Sequence, residues 1–253
     1  MANLRLIKAL NEKFDKNSEF RNMDFDSINE SFSGFDGSSY RKTFSESIKN
    51  LGSEYQKCFL ESKSADVYLL FIDICDFSIR FSHLTNPQLS VLLDRYYDLV
   101  IPIIYEHGGE IDKIIGDGII CVFGAPFITD SALDNKVNQC AKELIEATKG
   151  TIYKSKIAIN SGLIMYYNNK SIHFEDFTII GKPITELHRL ESISVDEKIN
   201  FFTNSDYDQY LNRRVARNIS KVRARWQISS SSIITPPLKG VTRFNAKKTM
   251  ERI

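Results

Sequence analysis

Val67-Tyr68-Leu69-Leu70-Phe71-Ile72-Asp73-Ile74-Cys75-Asp76-Phe77-Ser78 is an almost continuous apolar run that ends in carboxylates. A run of this kind is what a central strand buried on both faces needs. Downstream, Lys113-Ile114-Ile115-Gly116-Asp117-Gly118 reads as a hairpin turn carrying another carboxylate, where it can fold back beside the first. Two aspartates offered by neighbouring strands, with no histidine or cysteine ligand pattern near them, make an oxygen-only site suited to Mg²⁺ or Mn²⁺. Such sites handle phosphates, because the metal bridges phosphate oxygens and activates a hydroxyl. The pairing points to nucleotide chemistry.

Working outward, Asn86-Pro87 opens a helix running to about Tyr105, with Leu89, Leu92, Leu93, Tyr96, Tyr97 and Val100 inward. Glu110–Ile115 and Ile119–Phe123 form the hairpin strands, and a helix follows at about 131–149. Lys156–Asn160 reads as a strand, ended by a Ser161-Gly162 turn, with a second short strand at Leu163–Tyr166. Thr185–Ser192 reads as a helix, Ile199–Thr203 as a strand, and a last strand follows Leu238-Lys239-Gly240. This order predicts an α/β (α+β) sandwich, a mostly antiparallel sheet with helices packed on one face around a ferredoxin-like core. Residues 1–60 form a separate extension: amphipathic helices at 3–15 and 41–60 flank a polar stretch whose Phe20, Phe25, Phe32 and Phe35 can dock onto a core. The domain proper is 61–245, and 246–253 is a tail.

The net charge of +1 gives no general pull towards nucleic acid or membrane. Four scattered cysteines without CxxC spacing fit a reduced chain with no zinc site. His83, His107, His173 and His188 lack metal-ligand spacing, and the basic run Arg213, Arg214, Arg217, Lys221, Arg223, Arg225 reads as a solvated helical face. No signal-peptide core opens the chain and no apolar run reaches the ~18–20 residues of a membrane span. A cytoplasmic protein is expected.

Five motifs in order carry a resemblance: Asp73-Ile74-Cys75-Asp76-Phe77-Ser78; Lys113-Ile114-Ile115-Gly116-Asp117 with Phe123-Gly124; Ile157-Ala158-Ile159-Asn160-Ser161-Gly162; Gly181-Lys182-Pro183-Ile184-Thr185-Glu186-Leu187-His188-Arg189-Leu190-Glu191; and Leu238-Lys239-Gly240. Over about residues 65–245 the chain resembles the class III nucleotidyl cyclases. The resemblance implies that Asp73 and Asp117, with the backbone carbonyl of Ile74, hold two divalent ions, Mn²⁺ or Mg²⁺. It implies that the amides of residues 75–78, including those of Phe77 and Ser78, cradle phosphates. Arg189 would sit on the α-phosphate, Thr185 on the ribose, and Lys239 on the terminal phosphates. Lys113 and Thr178 would read the base. In this family the site lies between two catalytic domains, so a head-to-tail homodimer with two shared sites is implied.

Thr185 stands where the family has a ribose-orienting asparagine, and no glutamate stands at 113, which disfavours guanine. Lys113 with Thr178 fits the adenylate pattern and equally suits the carbonyls of uracil. A lone domain behind some sixty residues resembles the pyrimidine cyclases of bacterial antiphage (Pycsar) systems, whose cyclic UMP or cyclic CMP triggers a separate effector. UTP is therefore expected first, CTP second, with a stand-alone adenylate cyclase as the alternative. Two other readings stay open. Gly108-Gly109-Glu110-Ile111-Asp112 superficially resembles a diguanylate cyclase hairpin, but Ile111 replaces the central acid. Thr185 is also compatible with a degenerate fold that only binds nucleotide.

Overall fold

The computed structural model describes residues 58–128, 131–170, 175–217 and 226–253. The helix expected at 3–15 lies outside the described residues, as does that expected at 41–60 except for its last three residues, which are helical. Strand β1 (Ser64–Ile74) is the apolar run, and it is followed by a single turn of helix, α1 (Phe77–Arg80). Helix α2 (Asn86–Glu106) leads into the hairpin β2 (Glu110–Ile115) and β3 (Gly118–Gly124). Then come α3 (Leu133–Thr148), β4 (Ser155–Lys170), β5 (Glu175–Ile180) and α4 (Lys182–Glu191). The chain closes with β6 (Ile199–Phe202), α5 (Asp206–Arg217), β7 (Trp226–Ile228), β8 (Ser232–Ile233) and β9 (Ala246–Arg252).

One mixed sheet of order β2-β3-β1-β4-β6-β9-β7 results, with β5 on β4 and β8 on β9. β1 lies antiparallel between β4, which pairs it along its whole length, and β3, which pairs it from Val67 to Ile72, and this central stretch is apolar on both sides. Among the described residues only the β4–β6 pair is parallel. Tyr68, Leu70, Ile72 and Ile74 point to the face covered by α2, α3 and α5. Val67, Leu69 and Phe71 point to the other, where Leu187 and Leu190 of α4 pack with Cys58, Phe59, Ile234 and Val241. Helices therefore lie on both faces rather than one.

Two further expectations are corrected. Ser161-Gly162 does not end a strand: β4 runs through it for 16 residues, because β1 stays in register with it from Ser155 to Met165. Residues 246–252 are not a tail but a strand between β6 and β7. Their polar sequence is satisfied from outside the strand: the Lys248 ammonium donates to both oxygens of the buried Asp208 at 2.9 and 3.0 Å, and Lys247 donates to the Ile193 carbonyl. The four cysteines are free and buried, and no described helix is long and apolar enough to cross a membrane.

Candidate active site

The register of the sheet brings the two aspartates together. Asp73 is the last residue but one of β1, opposite Lys156 of β4. On the other side Ile72 faces Ile119, so the β2–β3 turn hangs over the end of β1. There the Ile74 amide donates to Asp117 Oδ2 at 3.2 Å. The Tyr97 hydroxyl of α2 donates to the Gly116 carbonyl and pins the turn. Gly118 makes the approach feasible: a Cβ there would lie 2.6 Å from the Phe71 ring and 3.2 Å from Asp73 Oδ1.

Burial raises the pKa of Asp73 to about 7, and the negative Asp117 beside it pushes the same way. Burial raises that of Asp117 as well. Two crowded carboxylates of this kind need positive charge, and one source is built in. Lys156 Nζ lies 3.5 Å from Asp73 Oδ2 and 2.9 Å from Glu191 Oε1 at the end of α4. The oxygen-only donors, their mutual repulsion and the space left by Gly118 fit a divalent cation held by Asp73 and Asp117. Among the described residues no group of three or more acidic, histidine or cysteine side chains could hold a metal, so within these residues the acidic donors at this place are the pair Asp73 and Asp117.

Directly after this strand the chain turns sharply at Asp76, whose φ of 53° is left-handed. Arg80 locks the turn, donating to the carbonyls of Cys75 at 3.0 Å and Ile152 at 2.8 Å. Phe77 is half-buried against Phe81, and Ser78 is exposed.

Thr185 and Arg189 lie on the outer, exposed side of α4. The acids that sequence spacing offers Arg189 are taken: Glu186 pairs with Arg243 and Glu191 with Lys156. Among the described residues Arg189 has no side-chain partner, and neither has the exposed Lys239. Lys113 lies in the row of Ile120, Phe71 and Ala158, on the α4 face. A bulge between Ile111 and Lys113 turns Asp112 inward, where its carboxylate meets Lys113 Nζ at 2.9 Å. His188 stands edge-on to Phe71, 5.6 Å between centroids, and its pKa is lowered by burial and by Lys113. Thr178 is opposite Tyr167, alternating with the buried Ile179. Within one chain, then, Asp73, Ile74 and Asp117 meet, while Thr185, Arg189 and Lys239 face solvent.

Sequence reasoning missed Lys156, Glu191, Asp112 and Tyr97. Lys156 borders one recognised motif and Glu191 ends another, but only the β1–β4 register and the docking of α4 bring Lys156 to Asp73 and Glu191 to Lys156.

No protein-family model matches the chain. Uncharacterized proteins of Mycobacterium bovis and Mycobacterium tuberculosis are 23% identical over 161 residues, which is 61% of this chain. The chain spans 29% of the length of these curated relatives. Among solved structures, the guanylate cyclase domain of RhGC from Catenaria anguillulae in complex with GTP matches with a TM-score of 0.59 at 18% identity. That match covers 76% of this chain and 100% of the other. The adenylyl cyclase CyaB from P. aeruginosa matches at 0.57 and 22%, covering 76% and 96%. A non-canonical dimeric guanylyl cyclase domain of the RhoGC fusion protein from Blastocladiella emersonii matches at 0.55 and 17%, covering 76% and 99%. These likenesses, with the mixed sheet and its packed helices, show that the chain has the fold of class III cyclase catalytic domains.

Proposed function

We propose that the chain is a nucleotidyl cyclase domain, converting a nucleoside triphosphate to a 3′,5′-cyclic nucleotide and pyrophosphate. The observation that carries this is the pair of half-buried aspartates drawn together at the end of β1, with Asp117 Oδ2 3.2 Å from the amide next to Asp73. Similarity to adenylyl and guanylyl cyclases supports the same reading.

In the proposed reaction the ribose 3′-oxygen bonds the α-phosphorus, the bond from that phosphorus to the bridging oxygen breaks, and the hydroxyl proton passes to water. Asp73 and Asp117, with the Ile74 carbonyl, would hold two divalent ions, which lower the hydroxyl pKa and neutralise phosphate charge. Lys156, tethered by Glu191, would hold Asp73 in place and offset part of the negative charge of the pair. The amides at Phe77 and Ser78 would line the phosphates. Arg189 would meet the charge developing on the α-phosphate, Thr185 the ribose, and Lys239 the terminal phosphates.

Because Thr185, Arg189 and Lys239 stand exposed, with no side-chain partner among the described residues, they suit a nucleotide held at a second copy's aspartates, in a head-to-tail homodimer with two shared sites. An apolar stripe on the β4–β5 arm supports association: Leu163, Met165, Tyr167 and Ile180 are each 36–59% exposed. We take the preferred substrate to be UTP, then CTP. Lys113 donates to a carbonyl, and Thr178 brings no charged acceptor for an exocyclic amine. The cyclic product would serve as a messenger to a separate effector in antiphage defence, in the cytoplasm. A second reading, adenylate cyclase, draws on Asp112: its carboxylate lies beside Lys113 and is the type of acceptor an exocyclic amine favours.

The test is incubation with each of the four nucleoside triphosphates and Mn²⁺, with mass spectrometry of the products. Dominant cyclic UMP is the expected result. Dominant cyclic AMP would refute the pyrimidine reading alone, and no cyclic product from any of the four would leave a nucleotide-binding protein.

A further inference from the structure

Glu186 is 1% exposed, although it sits between the exposed Thr185 and the buried Leu187 in the first half of α4. A buried carboxylate is costly unless several donors reach it. Three do. Arg243 donates from Nε to Oε1 at 3.0 Å and from Nη2 to Oε2, a two-pronged pairing, and Asn160 Nδ2 donates to Oε2 at 3.2 Å. The same Asn160 nitrogen holds the Pro183 carbonyl at 3.0 Å, while Arg243 Nη2 reaches the Ser161 carbonyl at 3.4 Å. β4 presses against this junction, for a Cβ on Gly162 would lie 3.0 Å from Pro183 Cγ and 3.5 Å from Arg243 Nη1.

Arg243 follows closely on the turn that carries Lys239. That turn is closed by the Val241 amide on the Leu238 carbonyl at 3.1 Å, and Val241 is buried. On the far side Phe244 stacks on Phe202, 4.5 Å between centroids and 6° between planes. Three segments thus meet at one carboxylate: the start of α4, the middle of β4 and the 238–244 segment.

We infer that Arg243 is a positioning residue. Gripping Glu186, it sets the height of Lys239 relative to Thr185 and Arg189, so that the three form one nucleotide-facing surface, with Arg189 and Lys239 on its phosphates. This inference rests on the proposed cyclase reading of those residues. Loss of the guanidinium leaves Glu186 buried without its main donors, and the junction must open to hydrate it.

Inorganic tripolyphosphate is the probe, and its binding to the full chain with Mn²⁺ is measured by calorimetry. Lys239→Ala is expected to weaken binding about tenfold, the order expected for one charge-assisted contact. Arg243→Ala is expected to weaken it to about the same degree, and the double variant no further, because a displaced Lys239 has little left to lose. Should Arg243→Ala not fold, Arg243→Lys keeps the charge without the fork and carries the same cycle, with about a threefold loss expected. Additive losses, or an Arg243 variant that melts earlier but binds normally, would overturn the positioning role alone. Normal binding by Lys239→Ala would overturn the phosphate reading of Lys239 and this inference with it.

Discussion

The C-terminal end of β1 and the outer side of α4 are built in opposite ways. At the end of β1 every charged group has a near neighbour: Asp73 has Asp117 and Lys156, and Lys156 has Glu191. On α4 the inward side chains are spoken for, while Thr185 and Arg189 look outward with nothing described against them. The first region is complete within one chain. The second offers donors that no acceptor among the described residues uses. A catalytic surface divided in this way makes sense when the missing half belongs to another copy.

The largest effect that could break this contrast is at the carboxylates. Asp73→Ala or Asp117→Ala should abolish cyclic-nucleotide formation while the circular dichroism of the fold is kept, since neither side chain packs in a core cluster. Turnover by either variant would remove the metal-site assignment.

The division between chains is tested by mixing. Asp73→Ala and Arg189→Ala should each be inactive, yet together recover about a quarter of wild-type activity, because random exchange leaves one intact site in half the dimers. Absence of any recovery after verified subunit exchange argues for a site within one chain.

A smaller effect separates the built-in cation from the bound one. Lys156→Met should lower metal-free stability by about 1–2 kcal/mol, by leaving the two acids without a fixed counter-charge. Saturating Mn²⁺ should recover most of that loss in thermal unfolding. An equal deficit with and without Mn²⁺ would show that Lys156 and the metal do not answer the same charge.

The pH dependence is the finest test. Asp73 is held up to about 7 by burial and then by Asp117. Between about pH 4 and pH 7 the folded protein therefore keeps a proton that the unfolded chain has released. Stability of the metal-free protein should fall as pH rises through that window. Asp73→Asn should flatten the slope relative to wild type, with the difference between the two proteins isolating this group.

The parts of the fold legible in the sequence were those with a strong local signal. Seven apolar residues of β1, the Asn86-Pro87 start of α2 and the Gly116-Asp117-Gly118 turn each carry their structure in their own chemistry. The parts misread were those whose stability comes from elsewhere. β9 looks like a polar tail until Asp208 and the Ile193 carbonyl are brought to Lys248 and Lys247. Gly162 looks like a turn until β1 holds it in register.

The site divides along the same line. The identities of Asp73 and Asp117, and the oxygen-only chemistry they suit, are decided by sequence alone, because residue type and strand-end position suffice to state them. That Lys156, held by Glu191, answers the charge of those acids, that Asp112 engages Lys113, and that Arg243 holds the buried Glu186 was decided only by tertiary structure. Of these only Asp112 and Lys113 are neighbours in sequence, and their meeting depends on a bulge that local pattern does not announce. Charge pairing acts over a few ångströms of space, and separation along the chain carries almost no information about that distance until the sheet register and the helix docking are set.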